Sequence, residues 1–238
     1  MMTPIIERNR KNKQKAFDKY LINVDHFFSE SELLRFGHFF TTPILNEYFR
    51  KLDQDYFTEF ILDHTFPSFE EEIPIPYVEI WQIHHQFIEN LTQMNSKAAE
   101  DFVRNFFTDR PFSEFLIVLG QRITPASVQN KKAIPPASAQ LVQQAFAPYN
   151  QEIKIAVRAW EKHAGRTDTE FWGVIDGTPQ QKEKHVINLV NEIIKKHTWW
   201  NVFEHFKHGH VYEIREKNGH GMRWSLDNKK FIGFVEPF

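Results

Sequence analysis

The chain has 238 residues and a formal net charge of −2, with 29 Lys and Arg residues against 31 Asp and Glu residues. This length suffices for one large domain or two small ones, and the near-neutral charge excludes a global positive field that would attract nucleic acid or an anionic membrane. The chain contains no cysteine, which excludes disulfides, thiolate metal sites and a cysteine nucleophile.

The composition also indicates where the protein is located. A chain without cysteine suits a reducing cytoplasm, although a protein exported without disulfides has the same composition. The sequence shows no signal peptide and no apolar run of about 20 residues, so we expect no membrane span. The expected location is the cytoplasm, and secretion by a route that needs no signal peptide is the open alternative.

Apolar residues at helical spacing predict a mainly helical N-terminal region over about residues 1–135. Residues 29–32, Ser-Glu-Ser-Glu, have the spacing of a capping box before an apolar stripe. Another stripe predicts a helix over about residues 77–94. The apolar segment FSEFLIVLG predicts a buried helix that ends at Gly120.

Residues 121–138 lose the helical periodicity and contain three prolines, so we expect a linker there. A second unit of mixed α and β structure is predicted over residues 136–238. Its best-defined helix spans residues 178–197. Thr178 and Gln181 have capping-box spacing around a first-turn proline, and lysines near the end suit the helix dipole.

Strand-like segments follow this helix from about residue 199 to 236. Asn218-Gly219 between two of them is a strong hairpin signal. The predicted fold class is therefore α+β, with a mainly helical N-terminal region and a C-terminal helix packed on a small antiparallel β-meander. The predicted strands are Trp199–Phe206, Val211–Glu216, Met222–Ser225 and Phe231–Val235.

If residues 218–219 form a two-residue loop, the hairpin places Glu213, Arg215 and His220 on one face, with Trp224 beside them. This loop predicts the cross-strand pairs Lys217–His220, Arg215–Met222, Glu213–Trp224 and Val211–Leu226.

A carboxylate, a guanidinium and an imidazole on adjacent strands are the parts of a metal-free acid–base site. Glu213 can accept a proton, His220 can donate one, and Arg215 with Arg223 can hold an anionic phosphate. Ribonucleases built on antiparallel sheets use such a set, which is an analogy of fold. The alternative is an exposed cross-strand ion pair with no catalytic role.

Three histidines raise a second alternative, a metal site at residues 205–210. His208 and His210 lie two residues apart on a strand, and His205 precedes them. Imidazoles are common ligands of zinc and iron, but a histidine-rich turn without metal explains the same residues. We therefore expect no metal and, because no nucleotide-binding glycine loop is present, no cofactor.

Four aromatic residues of the same stretch are candidate ligand-binding residues. Aromatic side chains that face a groove can stack on bases or on a ring-shaped ligand, whereas aromatic side chains in the core only anchor the sheet. The four candidates are Trp199, Trp200, Tyr212 and Trp224.

The sequence favours a non-catalytic interaction, adaptor or effector-type protein whose functional surface lies in the C-terminal unit. A metal-independent ribonuclease that uses Glu213, His220 and Arg215 is the alternative. Another protein is the expected partner, because the net charge does not favour RNA.

Overall fold

The computed structural model describes the larger part of the chain, and the capping box predicted at residues 29–32 lies outside it except for Ser31. The described residues are 31, 35–36, 42–52, 64–94, 96–165 and 170–237.

The pattern of contacts divides the chain into two units, which we call the helical unit and the α+β unit. The helical unit comprises Met1–Asp63, Pro74–Gln121 and Gln129–Ile134. The α+β unit comprises His64–Ile73, Arg122–Val128 and Pro135–Phe238. The second unit thus includes two short segments from before residue 135.

The helical unit has a core rich in phenylalanine. Phe107 and Phe115 stack with ring centroids 4.8 Å apart, and Phe87 stacks on Phe106 at 3.8 Å. Gly120 ends the last helix with a φ of 106°, a conformation that glycine adopts without steric cost. Its described helices are α1 (Thr42–Lys51), α2 (Tyr77–Thr92), α3 (Ser96–Asp109) and α4 (Phe112–Leu119).

The α+β unit contributes three α-helices and the sheet. The third helix starts as its sequence predicts, because Thr178 Oγ1 accepts a hydrogen bond from the Gln181 backbone N–H and the Gln181 side chain accepts one from the Thr178 backbone N–H. The helices are α5 (Ser138–Ala145), α6 (Ile155–Ala164) and α7 (Pro179–Lys196). No helix in the described ranges combines the length and the apolarity that a membrane span needs.

Four antiparallel strands form a meander in sequence order, which confirms the predicted α+β fold class. One face of the sheet is apolar and packs toward the helices of the unit; the Trp224 indole N–H on this face donates to the Leu141 carbonyl of α5 at 3.1 Å. The strands are β1 (Trp199–His205), β2 (Gly209–Arg215), β3 (Gly221–Ser225) and β4 (Lys230–Val235).

The register between β2 and β3 differs from the predicted one by one residue. Arg215 pairs with Gly221, and Glu213 pairs with Arg223. The loop contains three residues, 217–219, because the Glu216 backbone N–H donates to the His220 carbonyl at 2.9 Å. Since a one-residue shift exchanges the two faces, the predicted pairs across this hairpin are wrong.

Gly219 has a backbone conformation that is compatible with the three-residue loop. Its φ of 87° lies in the left-handed region, which suits the third residue of a three-residue hairpin loop. A Cβ atom at this position would lie 3.0 Å from Pro237. Asn-Gly is compatible with loops of either length, so the local sequence does not determine the register.

The outer edge of β1 is paired with residues 122–128. The Arg122 backbone N–H donates to the Trp200 carbonyl at 2.9 Å, and the Val128 backbone N–H donates to the Val202 carbonyl at 2.8 Å. This segment satisfies backbone groups that an open edge strand would leave exposed.

Candidate active site

A row of polar side chains crosses the face of the sheet opposite the apolar one. Asn201 on β1 pairs in register with Glu213 on β2, which pairs with Arg223 on β3. Asn201 and Glu213 are buried, whereas the Arg223 side chain keeps 33% of its surface exposed. Buried polar groups in the middle of a sheet are costly unless they have partners, so their contacts define what this row can do.

The Glu213 carboxylate is bound by two guanidinium groups. Its Oε1 accepts a hydrogen bond from Arg215 Nε at 2.5 Å, and its Oε2 accepts one from Arg223 Nε. Burial lowers the pKa of Arg215, the Glu213 carboxylate opposes that shift, and the neighbouring charge of Arg223 adds to it. The cluster therefore holds two cations around one carboxylate and has positive charge to offer a third, anionic group.

The two arginines differ in their remaining contacts. The Arg215 side chain is 2% exposed, and its Nη1 donates to the carbonyls of Gly219 and Glu236, both at 2.6 Å. Arg223 instead lies over the Phe203 ring, with its guanidinium carbon 5.8 Å from the ring centroid. Arg215 is thus held within the protein, whereas Arg223 lies where an external anion can reach it.

Asn201 ends the row in a network with the segment along the β1 edge. Its amide nitrogen donates to Thr124 Oγ1 at 3.2 Å and to Ser127 Oγ at 2.7 Å. Asn201 and Thr124 line a cavity of about 150 Å³ that also reaches Glu213 and Arg223. Sequence analysis missed this network, although an Asn inside the apolar run TWWNVF was a signal that pointed to it.

His208 is an imidazole that interacts electrostatically with Arg223, one member of the polar row. It lies in the turn between β1 and β2, with its ring centroid 4.9 Å from that of His205. Burial lowers the pKa of His208, and the charges of His205, Lys207 and Arg223 lower this pKa further. The positive charge of Arg223 therefore acts on the His208 imidazole.

His220 lies on the other face, so the predicted grouping of Glu213, Arg215 and His220 on one face is wrong. Its ring stacks on Phe171 with centroids 3.9 Å apart, and its Nε2 is 3.5 Å from Glu236 Oε2. Neither ring nitrogen has a hydrogen-bond partner among the described residues. Burial lowers the pKa of His220, Glu236 raises it, and Arg215 lowers it.

The three histidines proposed for a metal site do not converge. His210 Nδ1 lies 2.9 Å from Asp227 Oδ1, whereas the rings of His205 and His208 contact each other. Across the residues that the structure describes, no three His, Asp or Glu side chains have an arrangement that could hold a metal ion.

The four candidate aromatic residues divide between the two faces of the sheet. Trp199 lines the cavity beside the polar row. Trp200, Tyr212 and Trp224 alternate onto the apolar face, where each is at most 4% exposed. Only Trp199 therefore lies where a ligand of the polar row can meet it.

Part of the chain is similar to a family of toxin domains. Residues 142–236 match the family model of the CdiA C-terminal tRNase toxin domain. A solved structure of the toxic C-terminal tip of CdiA from Pseudomonas aeruginosa, in complex with immune protein, is 29% identical; the match covers 40% of this chain and 99% of that chain, with a TM-score of 0.33. No curated protein matches the chain.

The segment that matches the family model lies within the α+β unit. It contains the three residues of the polar row and the second arginine that binds Glu213. These residues are Asn201, Glu213, Arg223 and Arg215. Thr124 and Ser127 lie outside it. The match supports the effector-type class that the sequence favours.

Proposed function

We propose that the α+β unit is a metal-independent ribonuclease of an effector-type toxin, with transfer RNA as its substrate class. The observation that carries this proposal is the buried Glu213 carboxylate between two guanidinium groups, one of which, Arg223, is partly exposed to solvent. The match to a tRNase toxin family over the same residues supports the choice of substrate.

The proposed reaction is internal transesterification of the RNA backbone. The ribose 2′-hydroxyl gives its proton to the Glu213 carboxylate, and its oxygen forms a bond to phosphorus. The bond between phosphorus and the 5′-oxygen breaks, and His208 donates a proton to that oxygen. The products are a 2′,3′-cyclic phosphate and a free 5′-hydroxyl, and Arg223 stabilises the charge that develops on the phosphate.

Binding of the substrate should change the ion pairs of Glu213, the proposed base. The Glu213 carboxylate is bound to two guanidinium groups, and a substrate phosphate that binds Arg223 competes with Glu213 for that cation. Glu213 then keeps only Arg215, which holds the carboxylate in position for the 2′-hydroxyl.

His208 is proposed as the acid because its imidazole is close enough to Arg223 for the two charges to interact. His220, in contrast, lies on the face of the sheet opposite Arg223 and stacks on Phe171. An acid must lie within hydrogen-bond reach of the leaving oxygen. We therefore expect His208, and not His220, to serve the reaction.

The test is cleavage of purified tRNA by the full chain in the presence of EDTA. We expect cleavage that leaves 2′,3′-cyclic phosphate ends. Arg223→Met should lower the rate by about 100-fold, and His208→Ala should lower it by a similar factor. The control is Lys195→Gln, which changes an exposed residue of α7 and should leave the rate unchanged.

Two results would overturn the proposal. Wild-type protein that cleaves tRNA no faster than Arg223→Met would leave the non-catalytic interaction protein as the function to pursue. Cleavage that EDTA abolishes and a divalent cation restores would contradict the metal-independent mechanism.

A further inference from the structure

A groove lined by cations runs between α6 and β4 in the α+β unit. Its volume is about 360 Å³, and its lining includes no aspartate or glutamate. Two of its lysine and arginine residues come from α6 and two from the sheet. They are Arg158, Lys162, Arg223 and Lys230.

The cations on the two walls of the groove are accessible. Lys162 and Lys230 are exposed, and neither makes an ion pair with any residue that the structure describes. Arg158 lies over the Tyr149 ring at 3.7 Å from its centroid, and Tyr149 is 51% exposed. The groove therefore has a local positive field, although the whole chain has a net charge of −2.

Arg223 connects the groove to the candidate active site. It lines the groove and also the cavity that holds Glu213. Beside it, Gly233 on β4 leaves open space, with no atom within 4 Å of where a Cβ would lie. A polyanion in the groove can thus extend to Arg223 without meeting a side chain at Gly233.

We propose that this groove binds the phosphate backbone of the RNA substrate upstream or downstream of the cleaved bond, with Tyr149 stacking on a base. This inference rests on the proposed ribonuclease function. The exposed tyrosine ring favours RNA over an acidic protein surface, because every base offers a face for stacking. Arg223 also favours RNA as the ligand, because it belongs to both the groove and the active site. One RNA strand that binds in the groove must extend to the active site.

The experiment measures binding of a fluorescent 2′-O-methyl RNA to the full chain by anisotropy at several salt concentrations. This RNA has no free 2′-hydroxyl at the modified positions, so binding is measured without cleavage. The test variant is Lys162→Gln/Lys230→Gln. The matched control is Lys184→Gln/Lys195→Gln, which removes two positive charges from exposed positions on α7 outside the groove.

We expect the test variant to bind the RNA at least about tenfold more weakly. The slope of log affinity against log salt concentration should fall in magnitude by about two, because each lost phosphate contact lowers that slope by about one. The control variant should stay within about twofold of wild type because it changes no groove residue. Equal losses in the two variants would overturn the groove as the binding site.

A third variant, Tyr149→Ala, separates RNA from an acidic protein. It should weaken RNA binding by about tenfold through lost stacking and leave the binding of poly-L-glutamate unchanged. Wild-type protein that binds poly-L-glutamate as tightly as RNA, with no effect of Tyr149→Ala on either, would overturn the proposal in favour of an acidic protein partner.

The two proposals fail separately in these experiments. Wild-type protein that binds RNA through the groove but cleaves no tRNA overturns the ribonuclease proposal and leaves the groove supported. Cleavage of tRNA that is unchanged in Lys162→Gln/Lys230→Gln, together with unchanged binding, overturns the groove alone.

Discussion

Arg215 and Arg223 bind the same carboxylate, but they differ in exposure and in their other contacts. Arg215 is 2% exposed and also donates to two backbone carbonyls, whereas Arg223 is 33% exposed. Removing one partner of a buried ion pair leaves an uncompensated charge, while an exposed partner is replaced by water at little cost. The two residues should therefore serve different purposes, Arg215 in positioning Glu213 and Arg223 in binding substrate.

Substitution by methionine should separate these purposes. We expect Arg215→Met to lower the free energy of unfolding by about 3 kcal/mol, because Gly219, Glu236 and Glu213 all lose a donor. Arg223→Met should lower it by less than about 1 kcal/mol and still reduce tRNA cleavage. Urea denaturation and cleavage rates measure the two effects. Equal destabilisation by both variants would contradict the assigned roles.

His220 gives a pH dependence of stability whose sign follows from its lowered pKa. Because the folded state binds a proton less readily than the unfolded state, full stability is present above the unfolded pKa of about 6.5 and is lost as pH falls from there toward the folded pKa. We expect His220→Phe, which keeps the stack on Phe171, to reduce the loss of unfolding free energy between pH 7 and pH 5. Urea denaturation at both values measures it.

The same variant also tests the role of His220 in catalysis. Cleavage of tRNA at pH 7 should be retained in His220→Phe, since His220 lies on the face opposite Glu213. A loss of activity as large as that of His208→Ala would restore His220 as a candidate acid.

At the scale of elements, features that depend on local sequence were predictable, whereas features that depend on the register between strands were not. The capping box and apolar stripe of α7 lie within one segment, and the structure confirms this helix. Glu213 and Arg215 share a face whatever strand lies beside them, because they are two residues apart on β2. Arg223 is on the neighbouring strand and His220 directly precedes that strand, so the wrong loop length exchanged their faces.

The rest of the candidate site depends on contacts distant in sequence. Asn201 meets Thr124 and Ser127, which lie more than 70 residues away along the chain. No periodicity or motif links these residues, and their meeting requires the segment 122–128 to pair with β1. The α+β fold class was therefore predictable, whereas the polar network was not.

The loop between β2 and β3 gives a test at the scale of an element. Gly219→Ala should lower the free energy of unfolding by about 1–2 kcal/mol, because its left-handed backbone disfavours a Cβ and Pro237 occupies the adjacent space. Lys217→Ala, in the same loop and exposed, should change it by less than about 0.5 kcal/mol. Urea denaturation followed by circular dichroism compares them. An unchanged stability in Gly219→Ala would argue against the three-residue loop.

At the scale of the molecule, the α+β unit is assembled from three separate segments of the chain. Arg122 joins two of them, since its guanidinium donates to the Glu72 carboxylate and to the carbonyls of Phe66 and Pro67. Thr198 also donates to the Phe66 carbonyl at 2.9 Å, and Phe69 contacts Trp199. The family match begins at residue 142, so the segments around Phe66 and Arg122 lie outside the matched residues.

The stability of the α+β unit should therefore depend on a residue outside the segment that matches the family. Arg122 is 2% exposed and pairs with Glu72. We expect Arg122→Met to lower the unfolding free energy of this unit by about 3 kcal/mol, because the mostly buried charge of Glu72 then lacks its guanidinium partner. Tryptophan fluorescence during urea denaturation is a suitable probe, since Trp81 alone of the six tryptophans belongs to the helical unit. The control is Arg104→Met, which removes an exposed ion pair of α3 and should cost less than about 0.5 kcal/mol. If the two variants unfold at the same urea concentration, segment 64–73 does not stabilise the sheet, and the matched segment folds independently of the residues before it.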